Sequence, residues 1–234
     1  MTRIIALEGG GFSDDPLDEH GRGLDQIVLD ATNTASPRLC FIGTAGGDAE
    51  SYTLKFYRAF EGRARLDDLN LTLRPRHPRL REFVLGMDAV YVGGGSTLNM
   101  LAVWRAHGLD DILREAYQRG VVLAGISAGM ICWFEQAATD SFDDGLRPIE
   151  GLGLLAGSAC AHFDDPTRRE QFVRLVADGR AAPGYGADDG VALDFEDGAL
   201  REAVSCDPAR SAKAYRVSPS GVGEIAVRYL HTGA

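Results

Sequence analysis

The sequence predicts an α/β fold, a mostly parallel sheet with helices on both faces and a β-rich C-terminal part. Short apolar runs alternate with helix-competent segments from residue 3 to about residue 136, the pattern of repeated β-then-α units that builds such a sheet. Several of the runs end in glycine-rich loops, as buried strands do where the chain turns at the carboxyl edge of a sheet. At 234 residues the chain is long enough for one sizeable core and short for two, so residues 1–234 are expected to form a single domain.

Taken in order, residues 3–7 form a short apolar strand that breaks at Glu8-Gly9-Gly10-Gly11. Glycines there let the backbone approach something closely, either in a tight turn or beside a site. The loop lacks the spacing G-x-G-x-x-G and runs into an acidic segment, which argues against a phosphate cradle. Residues 23–32 put Leu24, Ile27, Val28 and Ala31 on one helical face. Residues 38–44 read as a buried strand. In the helix over 51–60, the stripe Tyr52, Phe56, Tyr57 and Phe60 reads as core. Residues 69–73 read as a third strand, 80–85 as a helix and 89–92 as a fourth strand, followed by helical periodicity over 98–107 and 109–118. Beyond 136 the pattern loosens: 158–162 is strand-like, 166–177 helical, and 191–195, 200–205, 212–217 and 224–230 look like a partly antiparallel ending.

The chemistry centres on Val121-Val122-Leu123-Ala124-Gly125-Ile126-Ser127-Ala128-Gly129, an apolar strand ending in Gly-Ile-Ser-Ala-Gly, with a helix expected to run from there to about Gln136. That places Ser127 on a sharp strand-to-helix turn, a nucleophile elbow, with the Ala128 N–H free at the helix start. A second turn, Gly93-Gly94-Gly95-Ser96-Thr97, follows another buried strand and offers a Gly94 or Gly95 N–H as a further oxyanion donor.

A serine needs a base to take its proton. Of the five histidines, His20 sits in an acidic loop, His77 between Arg76 and Pro78, His107 at a helix end and His231 in the terminal tail. His162 closes the small apolar run from Gly157 to Ala161 and opens into Phe163-Asp164-Asp165-Pro166, a strand end leading into a Pro-initiated helix, so it is the candidate base. If the acid lies between serine and histidine in the chain, Glu135, Asp140, Asp143, Asp144 and Glu150 are available. Asp140 is preferred to Glu135, which would stand about 12 Å along a straight helix from Ser127.

Bulk properties narrow the function classes. Lys+Arg 24 against Asp+Glu 34 gives a net charge of −10, which argues against nucleic acid or an anionic membrane as partner. The cysteines Cys40, Cys132, Cys160 and Cys206 form no C-x-x-C pair and read as buried free thiols, with neither a zinc signature nor a disulfide framework. The amino terminus lacks a signal-peptide pattern, and the cytoplasm is the expected compartment.

Val92-Gly93-Gly94-Gly95-Ser96-Thr97-Leu98, Gly125-Ile126-Ser127-Ala128-Gly129 and Ala161-His162-Phe163 together resemble the peptidase E family of serine peptidases, which includes aspartyl dipeptidase and cyanophycinase. The resemblance is good over residues 88–165. It implies a class I glutamine-amidotransferase-like three-layer sandwich and a Ser–His–acid triad, with Ser127 as nucleophile, His162 as base and the Gly94/Gly95 and Ala128 amides as oxyanion hole. Two features depart from aspartyl dipeptidase: Ile126 stands where that enzyme has Trp, and its acid-bearing segment aligns near Phe142. Asp189-Gly190 resembles an acidic-Gly pair of the cyanophycinase branch, which makes Asp189 an alternative site acid. The resemblance implies a metal- and cofactor-independent peptidase acting on short peptides, with a preference for Asp and a homodimer both left open. An esterase or amidase on the same triad, and a catalytically silent relative that binds an acidic ligand, are the competing readings.

Overall fold

The computed structural model describes residues 1–13, 19–72, 78–142, 145–206 and 211–230, without the side chains of residues 19–22. His77, Asp143, Asp144, His231 and the His20 side chain lie outside the described residues.

Five strands form the parallel half of the main sheet: β1 (Arg3–Leu7), β2 (Arg38–Ile42), β3 (Arg65–Leu69), β4 (Ala89–Val92) and β5 (Val122–Ile126), in the spatial order β1-β5-β4-β2-β3. They are linked by α1 (Glu19–Ala31), α2 (Glu50–Phe60), α3 (Leu80–Leu85), α4 (Thr97–His107) and α5 (Leu109–Gln118). Successive side chains of a strand point to opposite faces. Ile5 and Leu7 therefore pack with Phe56 and Phe60 of α2, while Ile4 and Ala6 join the core that holds Trp104 of α4 and Leu113 of α5. Of the aromatic stripe, Phe56 and Phe60 are fully buried. β3 begins four residues before the expected third strand. Among the described residues its Arg-Leu-Asp-Asp-Leu sequence pairs only with β2, at the sheet edge, where charged side chains reach solvent and an apolar search does not find them.

After β5 the chain makes one helical turn, α6 (Ala128–Ile131), not the helix to residue 136 that the sequence predicts. The carbonyls of Cys132, Trp133 and Phe134 accept instead from the amides of Leu152 (2.8 Å), Leu154 (2.8 Å) and Gly153 (3.1 Å). With those acceptors taken the helix ends, and β6 (Phe134–Thr139) begins a second sheet. β7 (Arg147–Glu150), β8 (Leu155–Cys160) and, beyond α7 (Pro166–Ala177), β9 (Gly184–Ala187) extend it. β10 (Val191–Glu196) and β11 (Ala199–Ser205) return to the main sheet, β10 antiparallel to β1 and β11 antiparallel to β10. β12 (Ala214–Ser218) and β13 (Gly221–Ile225) add to the second sheet, and β14 (Val227–Tyr229) closes the first beside β11.

The result is an eight-stranded sheet, β14-β11-β10-β1-β5-β4-β2-β3, and a six-stranded one, β13-β12-β9-β8-β6-β7. Val92, Leu123 and Leu193 of the first share one buried cluster with Phe134, Ala159 and Ala187 of the second. Phe172, Leu175 and Val176 of α7 pack with Ala138, Cys160 and Phe163 in a separate cluster. The four cysteines are buried and free. Among the described residues no helix is long and apolar enough to cross a membrane.

Candidate active site

Ser127 joins β5 to α6 with φ 54° and ψ −109°, a conformation that costs a non-glycine residue about 1–3 kcal/mol and persists only where its surroundings dictate it. Its N–H is shared between the carbonyls of Leu7 and Glu8, each at 3.2 Å, and its own carbonyl accepts from Met130 N–H at 2.9 Å. The turn also needs both outer glycines. A Cβ on Gly125 would lie 2.3 Å from the Gly129 oxygen, and a Cβ on Gly129 would lie 2.4 Å from the Val92 oxygen. Strand and helix thus meet backbone to backbone, and the serine hydroxyl is left at the carboxyl edge of the sheet.

His162 follows the end of β8 and is likewise left-handed, with φ 56°. The Ser127 hydroxyl donates to its Nε2 at 2.9 Å. Its Nδ1–H donates at 2.8 Å to Oδ1 of Asp189, in the turn where the chain leaves β9 for β10. The carboxylate fixes the tautomer, which leaves the Nε2 lone pair facing the hydroxyl. Gly9 makes room for it, since a Cβ there would lie 2.3 Å from Asp189 Oδ1.

The acid preferred from the sequence is not the one at the imidazole. Asp140 leaves the end of β6 and pairs with Arg168 of α7, which also donates to the Ala161 carbonyl at 2.9 Å. Glu135 accepts from Gly157 N–H at 2.8 Å. β6 and β8 run parallel with Ala138 opposite Cys160, so Asp140 and His162 leave neighbouring strand ends, but the arginine takes up Asp140 there. Asp189, the alternative, fills the Nδ1 position from the next connection in the chain.

The glycine loop after β4 lies against the elbow. A Cβ on Gly94 would come 3.3 Å from Ser127 Cβ, but the Gly94 N–H donates to Tyr52 Oη at 3.1 Å and is not free. Tyr52, read from the sequence as core, thus reaches the site with its hydroxyl, which also bonds Ser13 Oγ at 2.5 Å. Gly95 has φ 136°, and a Cβ there would lie 2.2 Å from the Ala45 oxygen. Among the described residues neither the Gly95 N–H nor the Ala128 N–H has an acceptor. The latter stands at the first position of a helix, where no intrahelical partner exists.

Glu8 escaped the sequence reading as a site residue. It is fully buried at the end of β1, its Oε1 accepts the His162 backbone N–H and lies 3.9 Å from Nδ1, and its Oε2 has no hydrogen-bond partner among the described residues. Burial pushes the carboxyl well above the usual carboxylate range. The His162 backbone N–H opposes this, the Asp189 charge reinforces it, and Arg168 opposes it. The available signal was an acid set directly between a buried apolar strand and three glycines. Glu8, His162 and Asp189 also offer three ligand atoms within 4.8 Å of one another, enough to contact a metal ion, although Nδ1 is already engaged by Asp189.

A hydroxyl bonded to an imidazole that is itself held by a carboxylate can give up its proton and act as a nucleophile, and an unengaged amide at the elbow, that of Ala128, can receive negative charge. Comparison with known proteins agrees with a hydrolytic site. The model of peptidase family S51 matches residues 4–203. The chain is 45% identical over 219 residues to the uncharacterized peptidase YgaJ of Bacillus subtilis (strain 168), an alignment spanning 93% of this chain and 92% of that protein. It is 30% identical over 159 residues to Peptidase E of Streptomyces coelicolor, covering 63% of this chain and 61% of that one. Among solved structures it is similar to a peptidase from an acI-B1 actinobacterium, with a TM-score of 0.73, 16% identity and coverage of 97% and 95% of the two chains. A putative peptidase E protein from Listeria monocytogenes EGD-e gives a TM-score of 0.62 at 16% identity, covering 99% and 100%. With the family model spanning most of the sequence and a relative 45% identical over 93% of the chain, the chain belongs to peptidase family S51, the peptidase E family.

Proposed function

We propose that this peptidase is a serine peptidase that hydrolyses short peptides through an acyl-enzyme on Ser127. The observation that carries the reading is the unbroken row from Ser127 Oγ to His162 Nε2 at 2.9 Å and from His162 Nδ1 to Asp189 Oδ1 at 2.8 Å. Ser127 Oγ attacks the scissile carbonyl carbon while Nε2 takes the hydroxyl proton, and Asp189 supports the imidazolium that forms. The Gly95 and Ala128 amides receive the oxyanion, a stabilisation of about 3 kcal/mol per donor in other enzymes. The C–N bond breaks as the imidazolium returns its proton to the departing amine. Nε2 then deprotonates a water that attacks the ester carbonyl, and it returns that proton to Oγ as the acyl C–O bond breaks, releasing the carboxylic acid product and free Ser127. Gly94 lines the elbow in this scheme, and Asp189 takes the role that the sequence reading gave to Asp140.

The first test is covalent labelling. A fluorophosphonate is expected to modify the wild-type protein at Ser127 and to leave folded Ser127→Ala unmodified. Turnover of dipeptides and amino-acid p-nitroanilides, set against simple esters, then separates a peptidase from an esterase, and including Asp-initiated dipeptides reads the Asp preference. Full turnover by Ser127→Ala, or a folded wild type that resists the label, would sink the proposal.

A further inference from the structure

We infer that Glu8 is a positioning residue that holds the three members of the proposed triad in register with one another. Ser127, His162 and Asp189 stand on three separate loops, at the ends of β5, β8 and β9, and Glu8 or its neighbour touches all three. The Glu8 carbonyl accepts the Ser127 N–H at 3.2 Å. Its side-chain Oε1 accepts the His162 N–H. Its own N–H donates to the Val191 carbonyl at 2.9 Å, and the next carbonyl, of Gly9, accepts Gly190 N–H at 3.1 Å, so the turn bearing Asp189 is clamped from both sides. No other described side chain accepts from the His162 N–H, and that residue needs holding, because φ 56° is a strained value for histidine.

The chemical state of Glu8 follows from its surroundings. The side chain is excluded from solvent and, among the described residues, receives one hydrogen bond at Oε1 and none at its second oxygen. An ionised carboxylate so placed would lack the donors that make a buried charge tolerable. The charged and titratable groups around it are Asp189 and Asp164, whose negative charges disfavour its ionisation, Arg168, which favours it, the imidazole of His162, and the buried Cys160 thiol, which a Glu8 charge would push up. Burial therefore favours the neutral carboxyl, whose carbonyl oxygen accepts from the backbone, and Asp189 is the carboxylate that bonds the imidazole directly.

This inference rests on the serine-peptidase reading, and the test separates the two. Glu8→Gln keeps a neutral acceptor at Oε1, whereas Glu8→Met keeps the volume and removes the acceptor. Glu8→Gln is expected to retain kcat within about threefold, and the acid limb of its pH–kcat/KM profile to overlay the wild type. Glu8→Met is expected to lose about 10²-fold in kcat, the scale of a misplaced reacting group, with KM little changed. Wild-type kcat in Glu8→Met would overturn the inference. So would Glu8→Gln falling as low as Glu8→Met, or its acid limb moving to lower pH, since either means that a negative charge near Nδ1 had been supporting the imidazolium. If Glu8→Met fails to melt cooperatively, Glu8→Ala is read against the same expectation, and the Glu8→Gln profile decides the charge state by itself. Turnover that survives Ser127→Ala would refute the serine-peptidase reading, whereas turnover that needs Ser127 but ignores Glu8 would refute only the positioning role.

Discussion

Replacing Gly9 by alanine perturbs the proposed triad without touching any of its members. The backbone of Gly9 is not left-handed, so alanine meets no conformational penalty there, and its effect is steric. The new Cβ would lie 2.3 Å from Asp189 Oδ1 and 2.5 Å from its carboxyl carbon. Reaching ordinary contact requires the carboxylate to withdraw by about 1 Å. That stretches the 2.8 Å bond to His162 Nδ1 beyond hydrogen-bond range. The Asp189 side chain is 39% exposed and can swing into water, so the fold loses little, under about 1 kcal/mol. The imidazole, however, loses the group that sets its tautomer. Displacements of this size cost about 10²-fold in rate, and loss of the carboxylate in a serine-protease triad about 10⁴-fold. Gly9→Ala should therefore lower kcat by 10²- to 10⁴-fold (an order-of-magnitude range) with an unchanged melting temperature, assayed on the best substrate of the panel. The double variant Gly9→Ala/Asp189→Asn should be no slower than Asp189→Asn, because both changes remove the same contact. Wild-type kcat in Gly9→Ala, or additive losses in the double variant, would refute the reasoning.

Three further outcomes follow from the structure. Asp189→Asn should reduce kcat by about 10⁴-fold, whereas Asp140→Asn, which removes a mostly exposed carboxylate from Arg168, should stay within a few-fold; steady-state kinetics on both variants checks this. Gly125→Ala drives a methyl group into the Gly129 carbonyl, a backbone atom that cannot step aside, and should destabilise the protein by about 3 kcal/mol, the upper end of overpacking costs, in denaturant unfolding. Asp25, buried against Phe12 N–H and the Tyr91 hydroxyl, has its carboxyl pushed up to about 7, above all by desolvation. Its folded value exceeds its unfolded one, so the native state binds the extra proton, and stability falls as pH rises from about 4 to about 7. Between pH 5 and pH 8 the wild type should lose roughly 3 kcal/mol relative to Asp25→Asn, read as the difference of their denaturation free energies, and parallel curves for the two would count against it.

Local chemistry determined much of this molecule. The strand–Gly-Ile-Ser-Ala-Gly–turn announces the elbow because only glycines tolerate the backbone approach at 125 and 129, a constraint written within five residues. β1, β4, α3, α5 and α7 fall at the bounds that apolar period, proline and glycine place on them. His162 was legible because it stands where a strand of small residues gives way to a proline-led helix capped by Asp165. The tertiary structure decided which of the candidate acids meets the imidazole, and it alone revealed the second sheet and the place of Glu8. Asp189 comes 27 residues after His162, and Glu8 154 before it; neither separation has a periodic signature, since both contacts depend on which strands lie side by side. The same holds for residues 128–139, where the local preference for helix yields to carbonyls that residues 152–154 claim from a distant part of the chain. A sequence records what each stretch can become, but which carboxylate meets the imidazole is fixed only when β10 crosses back beside β1 and sets the 188–190 turn against Gly9.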